Sequence, residues 1–387
     1  MKKRGANNTG TIRQRKRDGL WEARVTIGVD EHGKTKRKSV YGRTQEEARK
    51  KMQALIVEVD KGTYTEPSKI TLGAWMNQWY EVYCVRKLKP ATLESYRGII
   101  DRYITPALGK KRLQALRGID VQRFYNSMTD NDLSPKTVKN AGAVLHKALG
   151  VAVKEGMIPA NPCNTAELPR MVRREIRPLT DAQIPLFLQA IKGDDYENAF
   201  AVCLFTGMRE GEALGLSWDH VDFEKQTITV CQQLQRAGGQ YTIVPFTKSN
   251  KPRTIQPPPI CFEYLARQQA WQKEQAEKSA ARYVWNNPDN LVFTSPLGGH
   301  IIHMAFWRHF KRIVTEIGRP DARPHDLRHT AATVAIASGA DIKSVQDMLG
   351  HASVNFTLNI YAHASDRMRA DTAARVQGYY DGLKSKE

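Results

Sequence analysis

Six side chains in the last two fifths of the chain could together do chemistry on a phosphate: Arg209, Lys248, His325, Arg328, His351 and Tyr361. The two arginines can clamp non-bridging phosphate oxygens with paired hydrogen bonds, and a guanidinium keeps its charge near neutral pH. Lysine and histidine can move protons, and a tyrosine hydroxyl can attack. Each of the six also has an ordinary structural reading.

Each sits in a distinctive local sequence. Thr206-Gly207-Met208-Arg209-Glu210-Gly211-Glu212 follows the apolar run Ala199 to Phe205, and its first glycine predicts a sharp turn into another helix. Arg209 and Glu212, three apart, would then share a helix face, although Arg-x-x-Glu is also a common surface ion pair. Lys248 lies in Phe246-Thr247-Lys248-Ser249-Asn250-Lys251-Pro252-Arg253, between two extended segments, which reads as a β-hairpin tip with Lys251 and Arg253 available for phosphates. His325-Asp326-Leu327-Arg328-His329 imitates the H-E-x-x-H zinc pattern. Its acid is Asp, Arg328 occupies the face meant for a dication, and no third ligand is evident, so no metal is assigned. His325 and Arg328, three apart, suit one phosphate instead, and His329 reads as a buried structural histidine. Leu349-Gly350-His351 ends a predicted helix over 342–349, and Tyr361 follows about ten residues later.

The elements that must position these residues belong to a chain of 387 residues, long enough for two or three domains. Its formal net charge of +19 calls for a polyanionic partner. Residues 1–51 hold sixteen Lys or Arg against six Asp or Glu, so more than half of the excess is N-terminal. Five cysteines, Cys84, Cys163, Cys203, Cys231 and Cys261, form no C-x-x-C pair and suggest a reducing compartment without a disulfide framework. No signal peptide and no run of about eighteen apolar residues is present, so a soluble, cytoplasmic, DNA-associated protein is expected.

The periodicities predict a multidomain, mainly α protein with small β-sheets. Thr11 to Lys16 and Leu20 to Gly28 flank the hairpin signal Asp18-Gly19, and a second turn over 30–33 leads into Thr35 to Tyr41. Thr44 and Glu47 form a capping box for a helix carrying Ala48, Met52, Leu55, Ile56 and Val59. The result is a three-stranded sheet plus helix over 1–62, whose Arg13, Arg15, Arg24, Lys36 and Lys38 are candidate DNA contacts. A four-helix domain over 70–156 follows, with helices over 71–85, 91–103, 118–129 and 134–154, and Trp75, Trp79 and Tyr83 in its core. Residues 156–177 read as an extended basic linker in which Arg170, Arg173 and Arg174 would meet phosphates. The remainder, 174–387, is predicted mixed α/β, mostly helical, with a strand pair near 227–231 and 241–245.

In order and spacing these motifs resemble the tyrosine recombinases, or phage integrase family. The resemblance covers Leu179 to Tyr380 closely; the four-helix domain is similar to the family's core-site-binding domain, and the N-terminal sheet to the arm-site-binding domain of phage and conjugative-transposon integrases. It implies a tyrosine recombinase catalytic domain in which Tyr361 attacks the scissile phosphate and remains on the 3′ phosphate. Arg209 and Arg328 would hold the non-bridging oxygens, Lys248 would protonate the 5′ leaving oxygen, and His325 would assist proton transfer. His351 would hydrogen-bond the phosphate, with Glu212 supporting the site. The arginines take the place a metal fills in many nucleases, so no cofactor is implied.

The implied partners are double-stranded DNA at core and arm attachment sites, three further copies of the chain in a tetramer, and possible excisionase and DNA-bending host proteins, with no membrane. The tail over 372–387, with Val376, Tyr379, Tyr380 and Leu383, would dock on a neighbouring copy or pack on its own. The expected activity is integration and excision of a mobile element. The alternatives are type IB-like relaxation without strand exchange and a non-catalytic DNA-binding regulator.

Overall fold

The computed structural model describes residues 10–29, 33–60, 64, 68–171, 177–246, 251–279, 284–350, 377 and 381. The chain divides into two compact units, residues 1–172 and 173–387.

The first unit opens with β1 (Thr11–Gln14), β2 (Trp21–Val29) and β3 (Thr35–Gly42), an antiparallel sheet in sequence order, then α1 (Gln45–Asp60). Gly19 adopts φ +69° in the first turn, the conformation that the Asp-Gly signal anticipates. The helix start also follows the sequence: Thr44 Oγ1 accepts from the Glu47 N–H at 3.1 Å, and a Glu47 carboxylate oxygen accepts from the Arg43 N–H at 2.8 Å. Ala23 and Val25 of β2 are buried, and α1 buries Ala48 and Leu55.

Strand pairing sorts the basic residues. Arg13 pairs with Glu22, and Arg37 with Thr26, so Arg13, Arg24 and Arg37 project on one face, whereas Lys38 pairs with buried Val25 on the other. The expected contact Lys38 therefore does not share the arginines' face, and Arg37, which the sequence reading passed over, does. Glu22 moderates that face: it accepts from Arg13 Nε at 2.8 Å, Ser39 Oγ at 2.8 Å and Arg24 Nε at 3.1 Å. Those bonds, Arg13's first, lower its pKa to about 2. Arg15 pairs with Asp18 and lies over the Tyr41 ring, and Lys36 is exposed.

The helical part comprises α2 (Leu72–Trp79), α3 (Pro90–Ile99), α4 (Thr105–Leu108), α5 (Gly118–Asp130) and α6 (Pro135–Lys154). Residues Tyr80–Cys84 extend α2 as a π-helical turn, and Ile100–Ile104 join α3 to α4 the same way, so the expected four rods are present. Pro90 and Pro135 stand at the first turns of α3 and α6, where the missing N–H costs nothing. Trp75 and Trp79 are buried, and Trp75 Nε1 donates to the Ala148 carbonyl at 3.0 Å. Tyr83 packs partly buried against the same core.

The expected linker from Gly156 begins as part of this core. Ile158 and Cys163 are buried in it, Asn161 Nδ2 donates to the His146 carbonyl at 2.9 Å, and Glu167 exchanges hydrogen bonds with Gln122. Arg170 lies beyond, exposed; Arg173 and Arg174 fall outside the described residues.

The second unit contains α7 (Gln183–Ala190), α8 (Glu197–Thr206), α9 (Glu210–Leu214), β4 (Val221–Asp222), β5 (Thr227–Val230), β6 (Gln232–Ala237), β7 (Gln240–Pro245), β8 (Arg253–Ile255), α10 (Ile260–Ser279), α11 (His303–Glu316), α12 (Pro324–Ala337) and α13 (Ile342–Leu349). Helix α8 is apolar nearly all round and buries Ala199, Phe200, Ala201, Val202, Cys203 and Leu204, which makes it the unit's central strut. Phe200 meets Phe187, Phe306 and Phe310 in a cluster that ties α8 to α7 and α11. The expected strand pair is not a pair. β5 joins β4 and β8 in one antiparallel sheet, and β7 forms a hairpin with β6. β7 and β8 thus have different partners, and the expected hairpin tip at Lys248 lies outside the described residues.

Gly207 closes α8 at φ +63°. A Cβ there would stand 2.5 Å from Leu349 Cδ2 and 3.2 Å from Ala331 Cβ, so α12, α13 and this turn come together only over a bare backbone. Gly207→Ala would incur both the left-handed penalty and the overpacking, and is expected to destabilise the unit by about 2–5 kcal/mol, read as a lower denaturant midpoint. An unchanged midpoint would refute this account of the turn.

Candidate active site

Arg209 is the N-cap residue of α9, extended at φ −67°, ψ 150°, with its side chain about two fifths exposed. Its Nη1 donates to Glu212 Oε1 at 2.6 Å, and its backbone N–H donates to Glu212 Oε2 at 3.0 Å. Glu212 is only 1% exposed, so this is no surface ion pair. Burial alone would raise the Glu212 pKa, but the bond from Arg253 and then those from Arg209 outweigh it, and the pKa is lowered.

Arg253, expected at a phosphate, is committed inside the protein. Its side chain is 9% exposed; Nη2 donates to Glu212 Oε2 at 2.6 Å and Nε to the Met348 carbonyl at 2.8 Å. The sequence placed it in a basic loop, and only its seat on β8, against the end of α13, shows why it turns inward. Lys251 is exposed.

Arg328 is buried at 1% exposure on α12. Its Nη1 donates to the Gly207 carbonyl at 2.7 Å and its Nη2 to the Leu349 carbonyl at 2.5 Å. The buried Nε has no hydrogen-bond partner among the described residues. Burial, and next the charge of Arg209, lower its pKa to about 9, which leaves it cationic at pH 7. The fork expected to face a phosphate is therefore half-spent on carbonyls, with three N–H donors remaining.

His325, one turn before Arg328, is exposed to an open pocket of about 640 Å³ lined by Arg209, Glu210, Gln233, His303, Trp307 and Arg323 among others. The surrounding protein, then the charges of Arg328 and Arg209, lower its pKa against the opposing pull of Asp326 and Glu212. The imidazole is thus neutral at pH 7. His329 packs edge-on to it with ring centres 4.8 Å apart and is buried, as a structural histidine should be.

The fold thus brings Arg209, Glu212, His325 and Arg328 to one place. Lys248, His351 and Tyr361 lie outside the described residues. His303, Trp307 and Arg323 line the pocket without having been singled out in the sequence. Arg323 had a usable signal, since it stands two residues before His325; the other two come from α11, which no motif marks. No described helix is long and apolar enough to cross a membrane.

Residues 177–368 match the phage integrase family, and residues 71–129 match the phage integrase N-terminal SAM-like domain. A protein named tyrosine recombinase XerC-like, from Caldanaerobacter subterraneus subsp. tengcongensis, is 30% identical over 374 residues, covering 92% of this chain and 95% of its own. The chain belongs to the phage integrase family. Among solved structures, the Tn1549 transposon integrase in complex with transposon right end DNA is 25% identical, with a TM-score of 0.66 over 79% of this chain and 99% of that one. A lambda integrase tetramer bound to a Holliday junction shares the fold at 18% identity, with a TM-score of 0.58 over 93% of this chain and 96% of that one. This integrase-family chain is a site-specific recombinase, an enzyme that breaks and rejoins DNA.

The buried histidine gives this unit a pH signature. Burial first, then His325 and Arg328, lower the His329 pKa to about 4. An unfolded histidine titrates near 6.5, so between about pH 6.5 and pH 4 the unfolded chain binds the proton and the folded one does not. Stability is unaffected by this group above that window and is lost as pH falls through it, by on the order of 3 kcal/mol. In denaturant unfolding at about pH 7 and pH 4, His329→Gln should lose less stability than the parent; equal losses would contradict the assignment.

Proposed function

We propose that the pocket beside Arg209 and His325 holds the scissile phosphate of an attachment site, and that Tyr361 attacks it to give a 3′-phosphotyrosyl intermediate and a free 5′ hydroxyl. The ester keeps the energy of the broken bond, so rejoining to a second duplex needs no nucleotide cofactor. One observation carries this reading: Arg209 and His325 open onto one pocket, with the cationic Arg328 buried behind them and its Nε–H unpartnered among the described residues.

In the reaction, charge accumulates on the non-bridging oxygens of the pentacoordinate phosphorus. Arg209 and Arg328 are fixed before the reaction begins, so they stabilise that charge without reorganising. Arg253 adds a third guanidinium against the single carboxylate of Glu212, leaving an excess of positive charge where the phosphate binds. Near neutrality a tyrosine with a pKa of about 10 needs a proton acceptor or a strongly positive site. Neutral His325 serves as the acceptor and the guanidiniums supply the field. Lys248 protonates the leaving 5′ oxygen, and His351 hydrogen-bonds the phosphate.

We divide the chain, on this reading, into an arm-site-binding domain over 1–62, a core-site-binding domain over 70–156 with its packed extension to Glu167, and a catalytic domain over 174–387. Arg13, Arg15, Arg24 and Lys36, with Lys251 and the basic stretch from Arg170, serve the phosphates and base edges of double-stranded DNA. The partners are core and arm sites, and the working assembly is a tetramer on two duplexes that integrates and excises a mobile element in the cytoplasm. The Tn1549 and lambda proteins, described as bound to transposon-end DNA and as a tetramer on a Holliday junction, support this reading.

A suicide substrate carrying the core site should trap a covalent 3′ adduct that forms in EDTA and is absent in Tyr361→Phe. Failure to form it at the cognate site would sink the proposal, and exchange between two marked duplexes separates a recombinase from a relaxing topoisomerase. Arg209→Lys should bind DNA like the parent while slowing cleavage by about 100-fold, because an ammonium cannot present the paired donors. Unimpaired cleavage would remove Arg209 from its role.

A further inference from the structure

We propose that Arg253 is a positioning residue that sets how Arg209 is presented to the phosphate, by sharing Glu212 with it and by anchoring the end of α13. The inference rests on the reading of Arg209 as the phosphate clamp and extends it to a side chain bonded within the protein.

The geometry is a bridge with three supports. Glu212 Oε1 accepts from Arg209 Nη1 at 2.6 Å and from Arg253 Nη1 at 3.4 Å; Oε2 accepts from the Arg209 backbone N–H at 3.0 Å and from Arg253 Nη2 at 2.6 Å. Each carboxylate oxygen therefore serves both arginines. The third support is the Met348 carbonyl, which accepts from Arg253 Nε at 2.8 Å. Gly350 completes the seat: a Cβ there would come within 3.1 Å of Arg253 Cδ and Nη1, so the chain leaving α13 passes directly over the Arg253 stem.

Exposure divides the labour. Arg209 is 38% exposed and faces the pocket, whereas Arg253 is 9% exposed and spends its guanidinium on Glu212 and the Met348 carbonyl. With Arg253 in place, Glu212 is neutralised from within the protein and holds Arg209 by one side-chain bond, which leaves the rest of that guanidinium for the ligand. Without it, a buried carboxylate would keep Arg209 as its one hydrogen-bonded guanidinium among the described residues. It would either draw that guanidinium inward or take up a proton and let go. Arg253 is the first residue of β8, so the start of that strand is tied to both Glu212 and α13.

The test measures covalent adduct formation on a suicide substrate against pH, with DNA affinity read separately by gel shift. Arg253→Gln should bind DNA within about twofold of the parent, yet form adduct roughly 10- to 100-fold more slowly, the scale expected when a reacting group is misplaced by an ångström or so. Its rate should gain an acid limb, because Glu212, facing Arg209, Arg328, His325 and Cys203 among the described residues, would titrate upward into the range assayed. Arg253→Lys keeps a cation in the core, guards against loss of the fold, and should recover part of the rate with the parent's pH profile. In the Glu212→Gln background, Arg253→Gln should add no acid limb.

Parental rates for Arg253→Gln across about pH 5.5–8.5 would overturn the proposal. So would a uniform loss at every pH without recovery in Arg253→Lys, or an acid limb that survives removal of the Glu212 carboxylate. Should Arg209→Lys cleave normally, the clamp reading itself fails; should Arg209→Lys fail while Arg253→Gln cleaves normally, only the present inference does.

Discussion

One buried carboxylate organises the second unit. Glu212 is 1% exposed, a position in which an unpaired charge would be prohibitive, and it is tolerated because two guanidiniums and a backbone N–H converge on it. The same contact decides what each arginine does: Arg209 is held with most of its fork toward the pocket, and Arg253 is held away from it. A buried pair of this kind is weak evidence for stability, and its value here lies in fixing where charge points.

The second consequence concerns the end of α13. The last carbonyls of a helix have no partner within it and carry the negative end of its dipole. Arg253 takes the Met348 carbonyl and Arg328 takes the Leu349 carbonyl, so two cations close the helix just before the chain reaches residue 351. Arg328 reaches back as well to the Gly207 carbonyl, in the turn that launches Arg209. Three stretches of sequence, around residues 207–212, 328 and 348–350, are thereby locked at hydrogen-bond distances, with the apolar helix α8 as the strut beneath them. Pre-positioned donors of this sort stabilise developing charge without paying for reorganisation during the reaction.

Much of the local structure was legible in the sequence. Asp18-Gly19, the Thr44 and Glu47 cap, the prolines that begin α3 and α6, and Gly350 at the end of α13 act through neighbouring backbone, so their meaning does not depend on the rest of the fold. Trp75 and Trp79 were legible for a similar reason, since helical spacing puts them on one face. Strand partners were not. β5 and β7 both have strand composition, but whether they pair with each other or with β8 and β6 is settled by contacts distant in sequence. The stretch 156–167, rich in proline and polar residues, has the composition of a linker and still packs, because Ile158 and Cys163 find a gap in the helical core.

By itself the sequence determined the chemistry: which residue types are available, in what order, and that phosphate is the group they suit. Tertiary structure alone decided where each arginine is held. Arg209, Arg253 and Arg328 are chemically identical, and no local pattern says that the first faces a pocket while the second is buried on Glu212 and the third on two carbonyls. That division depends on burial and on partners contributed by segments up to 121 residues away, and the free energy of a charge is set by those surroundings rather than by its neighbours along the chain.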